Sequence, residues 1–157
     1  MSDAPNWARI EREFDASIDD VWAMWTEPAK FQSWYGPNGF TIPVAEMDVT
    51  VGGRRKISME MKTPDRTMQM WFTGEYKEVT PKTRLVYSES MCDPDGNILS
   101  PESMGMPEGT PTETEVVVEL EDRGGKTHMA LTHVGVPAGS PGEGGWAQAI
   151  EKMAGLL

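Results

Sequence analysis

The chain has 157 residues, of which 38% are apolar, a net charge of −11 and a single cysteine, Cys92. That length is enough for one domain, 1–157, with a core that needs no staples. It holds no apolar run of about eighteen residues to span a bilayer, no basic-then-apolar leader over Met1–Asn6 and no partner for Cys92 in a disulfide, so a cytoplasmic address and no membrane insertion are the default expectations. The one basic cluster, Arg54-Arg55-Lys56, reads as the solvated end of a strand. Duplex or anionic-membrane surfaces need clustered Lys and Arg, so nucleic acid is not an expected partner.

In chain order, residues 7–16 alternate as a first strand. Ser17-Ile18-Asp19-Asp20 has the form of a helix cap, and Val21, Trp22 and Trp25 fall on one helical face after it. Pro28 suits the first turn of a second short helix, which carries Phe31, Trp34 and Tyr35 before Gly36-Pro37. Strands are then expected over 41–50, 53–62, 67–79, 84–89, 114–122 and 126–134. Gly52-Gly53, Thr63-Pro64-Asp65-Arg66, Thr80-Pro81-Lys82-Thr83 and Asp122-Arg123-Gly124-Gly125 are the turns. The tail opens with the capping pattern Ser140-Pro141-Gly142-Glu143, weakened by its glycines. Trp146, Ile150, Met153 and Leu157 then share one helical stripe. Strands with one polar face need cover on one side only, and the last helix is the available cover. The expected class is α+β: a curved antiparallel sheet of six to seven strands, two short helices after the first strand, and a C-terminal helix across the concave face.

Two stretches alternate more strictly than the rest. Ile57-Ser58-Met59-Glu60-Met61-Lys62 and Met68-Gln69-Met70-Trp71-Phe72-Thr73, joined by a four-residue turn, place Met61 opposite Met68, Met59 opposite Met70 and Ile57 opposite Phe72. Methionine fills irregular space and suits surfaces that accept varied apolar partners. This face is therefore either core or the wall of an adaptable cavity, and it is expected to form the central floor under the C-terminal helix. Parity adds Tyr76, Leu85, Tyr87, Glu89, Met129, Leu131 and His133 to it, and Trp146, Ile150 and Met153 would face it from the helix.

The polar residues on that face carry two readings each. His133 is expected as a buried, hydrogen-bonded structural histidine, because no Ser or Cys nucleophile pattern accompanies it. Glu89 hints at acid–base work or ligand orientation; the simpler expectation is an exposed strand end. His128 falls on the opposite face, and with one remote cysteine no metal constellation or cofactor is expected. Trp71 falls among Gln69, Thr73 and Glu75 on the polar face, which leaves a homodimer surface or a covering loop open. Residues 91–112 carry four prolines and three glycines and read as a disordered connection or a lid.

Several passages resemble a known family: Phe14 to Trp25; Trp34-Tyr35-Gly36-Pro37 within Phe31–Phe40; Asp48-Val49-Thr50-Val51-Gly52-Gly53-Arg54; and Gly74-Glu75-Tyr76-Lys77-Glu78-Val79 followed by Pro81 and Arg84-Leu85-Val86-Tyr87. Thr127–His133 and Gly145-Trp146 continue the likeness. Together they resemble the START-like SRPBCC superfamily and, within it, the family named for the activator of the heat-shock protein 90 ATPase. The resemblance implies a helix-grip fold with a cavity between helix and sheet. Members carry ligands, sequester small molecules, catalyse cyclase-type reactions or bind partner proteins. Fold alone does not choose among these. The eukaryotic namesake has a further domain before this one, where six residues precede the first strand here. The expectation is a binding module for a small apolar or amphipathic molecule, without catalysis. Its site residues are Met59, Met61, Met68, Met70, Phe72, Tyr76, Tyr87, Glu89, Met129, Leu131, His133, Trp146, Ile150 and Met153. The alternatives are a co-chaperone-like partner of heat-shock protein 90 and a cyclase- or hydratase-type enzyme.

Overall fold

The computed structural model describes residues 6–106 and 110–157, apart from the side chain of Met104. Met1 to Pro5, and Pro107 to Gly109 of the 91–112 stretch, lie outside the described residues, so the expectations of no leader and of a lid or disorder there concern residues not described. Strand β1 (Trp7–Phe14) leads into α1 (Ile18–Thr26) and α2 (Pro28–Gln32). Six strands follow: β2 (Thr41–Met47), β3 (Arg54–Lys62), β4 (Thr67–Thr80), β5 (Arg84–Cys92), β6 (Thr114–Arg123) and β7 (Lys126–Pro137). Helix α3 (Pro141–Leu156) is the last element. The seven strands form one antiparallel sheet in the order β1-β7-β6-β5-β4-β3-β2. This is the α+β arrangement that the order of sequence patterns predicts and the helix-grip fold that the resemblance implies.

The helix starts differ in how they are capped. Ser17 Oγ accepts from the Asp20 amide at 3.2 Å, the cap expected for α1. At α3 the expected cap is redirected: Ser140 Oγ donates to the Pro137 carbonyl at 2.6 Å. Glu143 instead accepts from the amides of Gly139 (3.2 Å) and Arg9 (3.1 Å), tying the helix start to β1.

The register of the methionine hairpin is the expected one: Met61 pairs with Met68, Met59 with Met70 and Ile57 with Phe72. Farther along β4 the sheet bends. A Cβ at Gly74 would stand 1.8 Å from the Ser88 carbonyl oxygen, so β4 and β5 approach there as only glycine allows. A register shift between Tyr76 and Glu78 follows.

The core lies where the helices cover the sheet. Val21 and Trp25 of α1, Phe31 of α2, Trp34, and Ile150 and Met153 of α3 pack with Ile57, Tyr76, Leu85, Tyr87, Val116, Met129 and Leu131. Each large apolar side chain sealed there contributes about 1.5–3 kcal/mol. Helix α3 contacts β1 and β7, at the far side of the sheet from the methionine hairpin. Of the methionine hairpin, Met59 faces α3 across a hollow, whereas Met61 is half-buried and Met68 is 36% exposed beyond it.

The described part of 91–112 is a tied loop and not a structureless connection. Asp93 Oδ1 accepts from the amides of Asp95 and Asn97, both at 2.9 Å, and the Leu99 amide donates to Met91 O at 2.9 Å. Cys92 bridges to Ile98. Lys56 Nζ donates to the Pro94 carbonyl and lies 5.1 Å from the Trp71 ring, so Trp71 is half-buried beside this loop.

Candidate functional site

Between the first turns of α3 and the outer part of the sheet lies a hollow of about 180 Å³. Tyr35, Gly36 and Pro37 form one side, Gly142, Gly145, Trp146 and Ala149 of α3 another, and Met59, Glu89 and His133 of the sheet the floor. The glycines of α3 shape its wall: a Cβ at Gly142 would stand 2.7 Å from Val136 Cγ1, and one at Gly145 would stand 3.2 Å from the Pro37 ring. A second hollow of about 310 Å³ adjoins it under the 91–112 loop, walled by Met70, Phe72, Met91, Leu99, Pro101 and Met106. The two share Glu89, His133, Val136 and Gly142.

Glu89 is not the exposed strand end that the sequence favours. Its side chain is 11% exposed and pairs with Arg55, whose side chain is 1% exposed, at 3.4 Å between Oε2 and Nη1. Tyr35 donates its hydroxyl to the same Oε2 at 3.1 Å, and Tyr87 donates to the Tyr35 oxygen at 3.3 Å. The guanidinium carbon of Arg55 lies 3.8 Å from the Tyr87 ring centroid, with Phe31 at 5.4 Å and Tyr76 at 5.8 Å. Its Nε and Nη2 make no hydrogen bond among the described residues, and aromatic faces surround the cation. Burial disfavours the charge on Arg55, but the tyrosines and Glu89 more than offset this, and its pKa is raised. Burial also drives the Tyr35 and Tyr87 hydroxyls above the ordinary tyrosine range, with the Glu89 charge adding to it. Both remain donors at neutral pH.

His133 is saturated by the protein. Trp146 Nε1 donates to its Nδ1 at 2.9 Å. The ring proton therefore belongs on Nε2, which donates to Thr114 Oγ1 at 2.8 Å. The Thr114 hydroxyl donates onward to the Glu89 carbonyl at 3.3 Å. Burial lowers the His133 pKa below its ordinary value of 6.5; the charge of Glu89 opposes this and that of Arg55 adds to it. This is the structural histidine expected from sequence, and it clasps α3 to β7 and β6.

Of the residues predicted for the site, Met59, Met70, Phe72, Glu89, His133 and Trp146 line the two hollows. Tyr76, Tyr87, Met129, Leu131, Ile150 and Met153 are sealed in the core instead. Met61 is half-buried and Met68 is 36% exposed; both lie beyond these hollows. Sequence reasoning missed Arg55, Tyr35 and Thr114. Arg55 had a usable signal, because it shares parity with Ile57 and Met59 and so points inward despite its basic neighbours. No group of three or more His, Cys, Asp and Glu side chains that would hold a metal occurs among the described residues.

A family model described as Activator of Hsp90 ATPase homolog 1-like protein matches residues 15–157. The chain belongs to this family. No curated protein matches this Hsp90-ATPase-activator-homolog-like chain. Among solved structures, a Chromobacterium violaceum protein shares its fold at a TM-score of 0.78 and 24% identity, over 98% of each chain. A Staphylococcus epidermidis protein does so at 0.75 and 21%, over 100% of this chain and 92% of the other. An AHSA1 protein from Silicibacter pomeroyi does so at 0.73 and 22%, over 95% of each. Tyr35, Gly36 and Pro37, within the matched residues, supply one side of the first hollow, while Trp34 is sealed in the core. No helix of the described residues is long and apolar enough to cross a membrane.

Proposed function

We propose that this protein binds a small apolar or amphipathic molecule in the paired hollows beside α3 and performs no reaction on it. A cytoplasmic address fits the lone, buried Cys92 and completes the proposal. The observation that carries it is the lining: methionine, aromatic and proline side chains, with few polar groups, most of them already engaged by the protein. Binding sites are concave, mostly apolar and fixed by a few oriented polar groups. A space of roughly 150 Å³ holds a benzene-sized guest. The enzyme reading is weaker because two of the groups it would use are spent. His133 has both nitrogens bonded, and Tyr35 is held as a hydroxyl by burial.

Heat denaturation against a panel of neutral, aromatic and amphipathic compounds tests the reading. At least one class raises the midpoint in a saturable way. Ala149→Leu, which pushes a larger side chain into the first hollow, abolishes that rise while the variant stays folded. Binding that survives the filled hollow would refute this location.

A further inference from the structure

The charge inside the hollows points to one ligand chemistry. Among the described residues, no Lys, Arg or Asp side chain lines either hollow, and the single charged side chain there is Glu89. Arg55 lies behind the wall, 1% exposed and lining neither hollow, so it cannot reach a guest. Its role is to hold and neutralise Glu89 from inside. Oε2 of Glu89 is occupied by Arg55 and Tyr35, whereas Oε1 accepts no hydrogen bond among the described residues. The groups beside it offer no spare charged donor. Tyr35 gives its proton to Glu89, Trp146 to His133 and His133 to Thr114. What remains at the junction of the two hollows is one accessible carboxylate oxygen with no donor from the described residues.

We infer that the ligand is an uncharged amphipath whose hydroxyl group donates to Glu89 Oε1 while its apolar body lies along Met59, Met70, Phe72 and Trp146. This rests on the binding reading above and narrows it to a class. A carboxylate guest would face Glu89 with neutral hydroxyls alone to receive it. An ammonium guest would add an unpaired charge to a set that Arg55 has already balanced, and uncompensated buried charge is costly. A hydroxyl adds no charge and supplies the missing donor.

The test uses a matched series of 1-octanol, octyl methyl ether, octanoate and octylammonium on the intact protein. The Trp146 indole N–H resonance follows titration by NMR. Octanol is expected to bind about tenfold more tightly than the ether, the gain from one hydrogen bond to a charged acceptor, and more tightly than either ion. In the double variant Arg55→Met with Glu89→Leu, alcohol and ether should bind alike. Octanoate or octylammonium binding as well as octanol overturns the inference but leaves the hollow a binding site, and so does an ether that matches the alcohol in the unmodified protein. If no member of the series binds, both the inference and the reading beneath it fall. The unmodified protein decides the matter even if the double variant does not fold.

Discussion

Ile57 and Met61 stand on the same face of β3, four residues apart, and the first is sealed while the second is half-buried. The same contrast runs across the sheet. Tyr76, Tyr87, Met129 and Leu131 are almost wholly covered, whereas Met59, Met70 and Phe72 line hollows and Met68 is open to water. Parity assigns all of them to one face. The cover separates them: α1, α2 and α3 close over the inner part, and the outer end of the β3–β4 hairpin runs past them. Alternation thus fixes which way a side chain points, and the reach of the helices fixes what it meets.

The sharpest way to break this comparison is at the buried pair on its border. Arg55→Ala or Glu89→Ala alone is expected to cost about 3–5 kcal/mol in urea unfolding, because each leaves an unpaired charge among aromatic rings. Arg55→Met with Glu89→Leu should recover most of that loss. A single variant costing less than about 1 kcal/mol would show that the pair does not anchor the inner face. Next in size, Met129→Ala in the sealed part should cost about 2–5 kcal/mol. Met68→Ala at the open end should stay near 0.5 kcal/mol. Equal costs would erase the distinction between the two halves.

A pH titration probes the clasp between them. The folded pKa of His133 lies below its ordinary value, so the unfolded chain binds the proton more readily. Its contribution is fully present above about pH 6.5 and is lost as pH falls through the folded pKa. Denaturant midpoints should therefore drop on acidification below about 6.5, and Trp146→Phe, which frees Nδ1, should flatten this part of the profile. A profile unchanged by that substitution would remove the clasp from the account. A small effect is also expected at Met59→Leu. A volume-conserving swap should cost less than about 1.5 kcal/mol, yet it stiffens the floor of the first hollow and should alter guest selection in the thermal-shift panel.

Much of the fold was legible in the chain. The facing of Met61 with Met68 and of Met59 with Met70 follows from strict alternation and a four-residue turn. The Ser17 cap follows from its spacing. The site was less legible. Arg55 and Glu89 are each placed inward by parity, but they meet across an intervening strand, β4, and no local spacing encodes that. Glu89 looked like an exposed end because its partner was hidden among basic neighbours. Sealed and lining residues alternate in the same way on the inner faces of the sheet and of α3, and periodicity cannot measure how far a helix stands from a sheet.

One wall of the first hollow is made by side chains that are missing. Gly142 and Gly145 bring the backbone of α3 up against Val136 and Pro37, and a single methyl at either place would press on its neighbour. The bore of the hollow and the seating of the helix are therefore one adjustable quantity. A change of one hydrogen to one methyl resets both, and no residue of the sheet has to move its register for the protein to accept a guest of another girth.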